Sequence, residues 1–340
     1  MLLDGQDPAA IQQAAQALAA GELLGLPTET VYGLAADASS DTAVAKIFTA
    51  KGRPSDHPLI VHIAPGPAGV AHLAAGVAHF ASNVPAFAQA LMDAFWPGPL
   101  TLILPRRPGV GATAAGGQDS IGLRCPAHPV ALAVLHACAA LGVAGLAAPS
   151  ANQFGRVSPT TAAHVQSEFG ADLLVLDGGP CSMGIESTIV DCTRGEPVLL
   201  RPGSIGRDQI EHACGQPLRD KDTLANAPRA SGTLEAHYAP TAKVRLMTAA
   251  ALQTALDLLG TGLDGQAVTI AVYARQPLRS RSAQVVCHAM PPDAAAAAQA
   301  LFAALRDFDA QGVRLIWVEA PPDTPAWEGV RDRLQRASVA

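Results

Sequence analysis

Residues 23–34 read LLGLPTETVYGL, a short apolar run followed by a turn rich in hydroxyl groups. The first four of these residues predict a strand. A segment that begins at Ser40 or Asp41 and ends near Gly52 has the cap, the apolar spacing and the glycine stop of a helix. The compact apolar run Leu59–Ile63 predicts a second strand. Strand, helix and strand in this order indicate an α/β fold.

The same alternation continues on both sides of this stretch. Asp7 and Pro8 predict the start of an alanine-rich helix that ends at Gly21. Helices are also predicted near 83–95, 129–141 and 207–214, and strands at Leu100–Leu104, Ile121–Cys125, near Leu146, at Leu173–Leu176, Ser187–Asp191 and Val198–Leu200. We therefore expect a mixed sheet with flanking helices.

The chain length predicts two domains, because 340 residues exceed the usual single domain of roughly 100 to 200. A polar stretch without either periodicity lies between residues 216 and 231 and predicts a linker. Beyond it, a strand at Val268–Tyr273, a helix at 293–310, a strand at Leu315–Val318 and a helix near 328–337 predict a smaller α/β, Rossmann-like unit. The expected boundaries are 1–212, a linker at 213–236, and 237–340.

Composition excludes several classes of protein. A formal net charge of −6 argues against an extended nucleic-acid surface, so that any RNA contact should be local. No apolar run approaches the roughly 18 residues of a membrane span, and the N-terminus lacks a signal-peptide pattern. We expect a cytoplasmic protein without membrane contact. The six cysteines have no framework spacing, which indicates reduced thiols.

The turn Pro27–Leu34 directly follows a predicted strand. Ligands of open α/β sheets collect beyond the carboxyl ends of strands, so its hydroxyls and carboxylate are well placed to bind one. Taken alone, the motif is equally consistent with Thr28 and Glu29 capping the following turn.

Lys51 and Arg53 flank the glycine that ends a predicted helix, and Pro54 stiffens the turn. Two cations on a rigid turn can bind phosphates or a carboxylate. Basic residues at a helix end more often complement the helix dipole. His57 and His62 follow, without any metal-ligand pattern around them.

A loop of small residues joins Ser150 and Asn152 to Ser158 and Pro159. We expect Ser158 to cap a helix that starts at Pro159, which would direct free backbone N–H groups towards an anion. A plain helix start would explain these last two residues but not the preceding Ser-Ala-Asn. Hydroxyl groups, glycines and arginines also recur at the ends of other predicted strands, for example at Gly178–Gly179, at Ser187 and at Arg201–Gly203. Their repetition at separate strand ends suggests one composite phosphate and carboxylate pocket.

The sequence does not contain the common motifs of other nucleotide-binding proteins, of serine hydrolases or of zinc sites. The sequence has no Walker A motif and no G-x-S-x-G, and the glycines near Gly109 follow prolines rather than opening a helix. Cys125, His128, His136 and Cys138 do not converge as zinc ligands would.

Together these motifs resemble one family. Pro27–Gly33, Lys51–Pro54, Pro97–Thr101, Ser150–Asn152 and Glu186–Thr188 with Leu200–Gly203 are similar, in this order over about 210 residues, to the YrdC/Sua5 family of threonylcarbamoyl-AMP synthases. The later segment His237–Pro240 resembles the entrance to the second domain of the two-domain, Sua5-type members.

The resemblance implies a strongly twisted α/β domain and a nucleotidyltransferase reaction. L-threonine, bicarbonate or CO2, and ATP with Mg²⁺ would give threonylcarbamoyl-AMP and pyrophosphate. A downstream tRNA threonylcarbamoyl transferase complex would then modify adenosine 37 of tRNA. The metal ligands are not implied.

Site residues are also implied by position. The threonine pocket would comprise Thr30, His62, Arg124, Ala148 and Ser187, and the nucleotide site would comprise Lys51, Arg53, His57, Ser120, Ser150, Asn152, Ser158, Arg201 and Tyr238. We expect Arg124 to clamp the carboxylate, and we assign Lys51 and Arg53 as catalytic residues that stabilise transition-state charge. No side chain is compelling as a general base.

Two other functions stay open at this point. The domain could be an RNA-binding or regulatory module without adenylation activity, although the acidic charge and the few aromatic residues disfavour it. A hydrolase that merely binds adenylates would release pyrophosphate without threonine.

Overall fold

The computed structural model describes residues 1–65, 70–223, 227–234, 236–261 and 269–339, with the backbone alone at 70–74. The chain divides into two compact units. The first comprises Met1–Phe154, Ser158–Ser182 and Glu186–Thr233, and the second comprises Gly155–Val157, Met183–Ile185 and Leu234–Ala340. Each is described by itself.

The first unit alternates strands and helices. Its strands are β1 (Leu2–Asp4), β2 (Leu24–Leu26), β3 (Gly33–Asp37), β4 (Ile60–His62), β5 (Leu100–Pro105), β6 (Ser120–Arg124), β7 (Leu146–Ala147), β8 (Leu174–Asp177), β9 (Thr188–Asp191), β10 (Val198–Arg201) and β11 (Arg219–Asp220). Its helices are α1 (Pro8–Ala19), α2 (Asp41–Lys51), α3 (Val70–Phe80), α4 (Ala86–Phe95), α5 (Pro129–Ala140), α6 (Ala162–Phe169) and α7 (Arg207–Cys214), with a short 3-10 turn at Lys221–Thr223.

These strands form one mixed sheet in the order β1-β8-β2-β3-β7-β4-β6-β5-β9-β10-β11. Strand β4 runs parallel to β6 but antiparallel to β7. His62 and Arg124 therefore lie side by side at the carboxyl ends of β4 and β6, whereas the segment that follows β7 leaves the sheet in the opposite direction. The mixed sheet predicted from the sequence is confirmed.

Helices α1 and α5 bury their apolar faces together with β2 and β7. Small alanines such as Ala14 and Ala131 are fully buried between larger residues such as Leu18 and Val134. A second hydrophobic cluster collects α2 and α4 against β3, β5 and β6. Buried apolar side chains on both helix sets stabilise the sheet, at roughly 1.5 to 3 kcal/mol for each large residue.

Helix α2 has the ends that its sequence predicts. The Ser40 side chain accepts from the N–H of Ala43, and Gly52 closes the helix at a φ of 61°. A side chain at this φ would be strained, so glycine is required where the chain turns between Lys51 and Arg53.

The second unit is a smaller α/β unit. Its strands are β12 (Lys243–Met247), β13 (Ile270–Ala274), β14 (Val285–Ala289) and β15 (Leu315–Glu319), and its helices are α8 (Ala249–Leu259), α9 (Ala294–Ala310) and α10 (Glu328–Val339), with a 3-10 turn at Pro325–Trp327. The sheet order is β12-β15-β13-β14 with all neighbours parallel. Helix α8 connects β12 to β13 and helix α9 connects β14 to β15. An all-parallel sheet with these helical crossovers confirms the Rossmann-like expectation.

The stretch expected to be a linker, 213–236, is not a single free connection. Its described part up to Thr233 groups with the first unit, and residues 224–226 and 235 lie outside the described residues. Arg229 forms a 2.6 Å ion pair with Asp56, and hydrogen bonds of Arg229 and Ser231 add to the contacts of this polar segment with the rest of the first unit.

One expected helix start was wrong. Helix α6 begins at Ala162, where Thr161 rather than Ser158 accepts from a backbone N–H. The carbonyls of Pro159 and Thr160 accept from the N–H groups of Tyr32 and Cys181, and these bonds hold the chain extended at that point. Among the described residues, no helix has the length and apolar character needed to cross a membrane.

Candidate functional site

A buried ion pair between Arg124 and Glu29 lies at the centre of the site. Nη2 of Arg124 is 2.5 Å from Oε1 of Glu29, and both residues are more than nine-tenths buried. Nη1 donates to Oγ1 of Thr30 at 2.8 Å, and Nε donates to the carbonyl of Gly98 at 3.2 Å. Within the described part of the chain, three of the five N–H groups of Arg124 thus have acceptors, and two are left for a ligand.

The two residues considered as turn caps have separate roles. Oγ1 of Thr28 donates to the carbonyl of Val31 at 2.6 Å and accepts from the N–H of Val31 at 3.2 Å. Thr28 therefore does cap the turn. Glu29 does not, because its carboxylate contacts Arg124, 95 residues away in sequence. Nothing in the local pattern identified this long-range pair.

His62 lies beside Arg124 in the β4–β6 register, and it is buried. Neither ring nitrogen of His62 has a hydrogen-bond partner among the described residues. Burial, with a contribution from Arg124, lowers the pKa of His62 to about 3. The backbone of Ile60 and Leu146 opposes this shift but does not reach hydrogen-bond geometry with the ring. A neutral imidazole with unsatisfied nitrogens is suited to a polar ligand.

This environment predicts a pH dependence of stability. Between about pH 6.5 and 3, the unfolded chain binds a proton at His62 that the folded chain does not. The free energy of unfolding should therefore fall as the pH is lowered through this window, by up to about 1.4 kcal/mol per pH unit from this group. Urea titrations of the wild type and of His62→Gln at pH 7, 6 and 5 measure it. The wild type should lose more stability than the variant, and parallel pH profiles would contradict the prediction.

Ser187 connects this cluster to a second arginine. Its Oγ lies 2.8 Å from Oγ1 of Thr101 and accepts from Nη2 of Arg201 at 3.2 Å. Arg201 also donates twice to the carbonyl of Ser187, at 3.1 and 2.8 Å. The N–H of Thr188 donates to the carbonyl of Pro99, next to the glycine that accepts from Arg124. The segment from Pro97 to Thr101 thus joins the two arginines.

Lys51 is buried, with its ammonium group on the small-residue loop. Nζ donates to the carbonyl of Ser150 at 2.7 Å and to that of Asn152. Burial, with a contribution from Arg53, lowers the pKa of Lys51 well below its usual value. The loop is held from its other side as well, since the N–H of Ala151 donates to the carbonyl of Tyr32. Lys51 therefore positions this loop.

Arg53 lies on the other side of Gly52. Its Nη2 donates to the carbonyl of Pro58 at 2.9 Å and to Oγ of Ser231 at 3.3 Å. The guanidinium lies over the ring of Phe154 at 5.6 Å, and the same ring meets His57 edge-on at 5.4 Å. Burial, with a contribution from Arg53, lowers the pKa of His57, so this imidazole is neutral near pH 7.

A segment late in the first unit lies against these cations. The carbonyl of Ser231 accepts from Nη1 of Arg201 at 2.9 Å, while its hydroxyl donates to the carbonyl of Pro58 and accepts from Arg53. Gln118 exchanges two hydrogen bonds with the backbone of Arg229. The narrow cleft beneath this segment is lined by Ser120 and the apolar Ile60, Ile103 and Ile189, among others. Sequence reasoning missed Ser231, because its partners are 30 to 178 residues away.

Three expected site residues lie less centrally. Ala148 follows β7 and its N–H donates to the carbonyl of Ile60. Ser158 donates to the carboxylate of Glu186. Tyr238 is buried within the second unit, where it stacks on Phe302 at 5.4 Å and lies under Arg333 at 5.3 Å, with a backbone φ of 62°. Its expected role at the nucleotide stays a prediction.

Comparisons with known proteins agree with this architecture. The Sua5/YciO/YrdC family model, described as telomere recombination, matches residues 16–203, and the model for the threonylcarbamoyl-AMP synthase C-terminal domain matches residues 205–339. The threonylcarbamoyl-AMP synthase of Bacillus subtilis is 37% identical over 99% of this chain and 94% of its own length. That of Pyrococcus abyssi is 36% identical over 96% of this chain and 94% of its own length.

Solved structures give the same result. P. abyssi Sua5 complexed with L-threonine has a TM-score of 0.85 at 34% identity, covering 98% of this chain and 95% of that one. A variant of P. abyssi Sua5 with a histidine and a tyrosine replaced by alanine has a TM-score of 0.87 at 32% identity, over 100% and 96%. The chain therefore belongs to the Sua5/YciO/YrdC family, in its two-domain form.

Proposed function

We propose that this chain is a threonylcarbamoyl-AMP synthase, which converts L-threonine, bicarbonate or CO2, and ATP into L-threonylcarbamoyladenylate and pyrophosphate. The observation that carries the proposal is the linkage of two cationic centres. Arg124 donates to the carbonyl of Gly98. In the same segment, Thr101 is hydrogen-bonded to the hydroxyl of Ser187, which accepts from Arg201. Relatives with the same name match nearly the whole chain.

The arrangement suits two anionic substrates that must meet. Threonine carbamate is a dianion and ATP carries about four charges, so fixed cations and N–H donors contribute more here than a protein nucleophile. Arg124 would bind the carboxylate, while Arg53 and Arg201 would face the phosphates. A carbamate oxygen would attack the α-phosphorus as the bond to pyrophosphate breaks. Positioning of the two substrates then provides most of the rate.

Magnesium would enter with the nucleotide. Among the residues that the structure describes, no three His, Cys, Asp or Glu side chains cluster as a metal site. Mg²⁺ bound to ATP usually keeps waters and phosphate oxygens as ligands and needs few protein carboxylates. The side chains present are therefore compatible with Mg²⁺ held by the triphosphate, where it would neutralise the leaving pyrophosphate.

The product defines a downstream partner. An acyl adenylate is reactive and must be consumed, and the family resemblance implies a tRNA threonylcarbamoyl transferase complex acting at adenosine 37. We place this sequence of reactions in the cytoplasm, where ATP and tRNA are available. Any contact of the chain itself with RNA would be local, since its net charge is −6.

The segment 227–233, which contains Arg229 and Ser231, is proposed to close the nucleotide site. A chain ending at residue 215 loses the contacts of Ser231 with Arg53 and Arg201, whereas a chain ending at Thr233 keeps them. Adenylate formation should fall at least about tenfold in the shorter chain relative to the longer one, since several hydrogen bonds to charged groups are lost. Circular dichroism melting verifies that both fold. Equal rates in the two chains would contradict the closing role.

Pyrophosphate release tests the proposed function itself. Purified protein with ATP, Mg²⁺, bicarbonate and L-threonine should release pyrophosphate, and omission of threonine should abolish the release. Serine should support a lower rate, because one missing methyl typically costs about 1 to 3 kcal/mol of discrimination. A protein that only hydrolyses or binds nucleotides would be indifferent to threonine, and that result would contradict the assignment.

A further inference from the structure

The carboxylate of Glu29 is only half satisfied. Oε1 accepts from Arg124, while Oε2 is buried and has no hydrogen-bond partner among the residues that the structure describes. The residue is 6% exposed, so this oxygen is shielded from bulk solvent. Leaving one oxygen of a buried carboxylate unsatisfied is costly, and such groups in folded proteins call for an explanation.

The surroundings of Glu29 supply one cation only among the described residues. His128 is nearby, but burial lowers its pKa, so the ring is neutral near pH 7. Burial raises the pKa of the thiols of Cys125 and Cys181 to about 12, and the negative charge of Glu29 contributes to the rise. These groups are neutral, and Arg124 is the cation that Glu29 contacts. A second cation at Oε2 would therefore complete the site.

The unsatisfied groups next to Arg124 share one pattern. Counting contacts with described residues alone, Arg124 has two N–H donors without an acceptor, Glu29 has one oxygen without a donor, and both ring nitrogens of His62 lack a partner. Together they match a ligand with a carboxylate for the arginine, an ammonium group for the carboxylate, and a further polar group for the imidazole. An amino-acid zwitterion with a hydroxyl group has this set.

We propose that Glu29 binds the α-ammonium group of L-threonine through Oε2. It would thereby select L-threonine over the corresponding hydroxy acid that lacks the amino group. The inference rests on the proposed function and adds a residue to it. The paired charges of Glu29 and Arg124 complement the paired charges of the zwitterion. Binding then adds no net charge to a buried site, which limits the cost of desolvation.

A second ligand that lacks only the amino group separates this role from a structural one. (R)-3-hydroxybutanoate keeps the carboxylate and the hydroxyl of L-threonine. In the wild type it should bind roughly tenfold to a hundredfold more weakly than L-threonine, because one hydrogen bond to a charged group is lost and Oε2 stays unsatisfied. This comparison needs no variant, and equal affinities would overturn the proposal.

The variant Glu29→Gln, titrated with the same two ligands, tests whether the charge of Glu29 causes the difference between them. Its amide can still accept from Arg124, but it presents no charge to an ammonium group. Calorimetry should show that L-threonine loses about tenfold or more in affinity, whereas (R)-3-hydroxybutanoate changes less than about threefold. Glu29→Asp, which keeps the charge, should retain part of the preference for threonine. If Glu29 only held Arg124 in place, both ligands would weaken equally in Glu29→Gln, and that result would overturn the proposal.

Two controls make the outcomes distinguishable. A non-hydrolysable ATP analogue, titrated into the same samples, should bind the wild type and Glu29→Gln equally if the variant is folded. A wild type that does not bind L-threonine would contradict the proposed function. A wild type that binds it but shows no preference over the hydroxy acid would contradict the role of Glu29 alone.

Discussion

Replacing Arg124 by alanine is expected to raise the Kd of L-threonine about a hundredfold or more while changing the Kd of an ATP analogue less than about threefold. The reason is geometric, because two N–H groups of this buried guanidinium have no acceptor among the described residues and can bind a carboxylate in bidentate fashion. The same change leaves Glu29 buried without its cation, which should cost about 3 to 5 kcal/mol of stability.

Calorimetric titration of each ligand measures the first effect, and urea unfolding measures the second. Arg219→Ala is the matched control, since Arg219 forms an exposed ion pair with Glu196 in the same unit. That variant should keep both affinities and nearly all stability, because water and salt screen an exposed ion pair. Equal losses of threonine and nucleotide binding in Arg124→Ala would mean that the residue holds the fold or the nucleotide instead.

Lys51→Ala and Arg53→Ala are each expected to lower the rate of pyrophosphate release by roughly ten- to several-hundred-fold. A charge-assisted contact to a phosphate is worth about 1.5 to 3 kcal/mol and can count for more in the transition state. For Lys51 a second effect adds to the loss, because its ammonium holds the carbonyls of Ser150 and Asn152 in place.

Single-turnover rates with saturating substrates make this measurement. Lys46→Ala is the control on the same helix, because Lys46 is half-exposed and pairs with Glu22 on the surface. It should leave the rate unchanged. Normal rates in both Lys51→Ala and Arg53→Ala would remove these residues from the catalytic machinery.

Local patterns predicted the elements that short-range forces determine. The cap at Ser40 and the stop at Gly52 follow from backbone hydrogen bonding and from φ, and both are found at those residues. The predicted helix start at Ser158 was wrong. The carbonyls of the next two residues accept hydrogen bonds from the N–H groups of Tyr32 and Cys181 instead of from a helix. Strand β1 was not predicted, since three residues that pair with β8 leave no periodic signal.

The site was predictable as motifs but not as contacts. The motifs place Arg124, Lys51 and Arg53 in one region, and the structure adds what each one touches. The ion pair of Arg124 with Glu29 joins residues that are 95 apart in sequence. The hydrogen bond from Arg53 to Ser231 joins residues that are 178 apart. No periodicity encodes such distances, because they depend on how the mixed sheet brings its strands together.

The identity of the product shows directly whether this chain adenylates threonine carbamate. The protein should be incubated with ATP, Mg²⁺, 13C-bicarbonate and L-threonine, and the nucleotide products analysed by mass spectrometry. We expect an adenylate that contains both threonine and the labelled carbon, formed together with pyrophosphate. An adenylate of threonine without the labelled carbon, or AMP and pyrophosphate alone in equal amounts with and without threonine, would contradict the account.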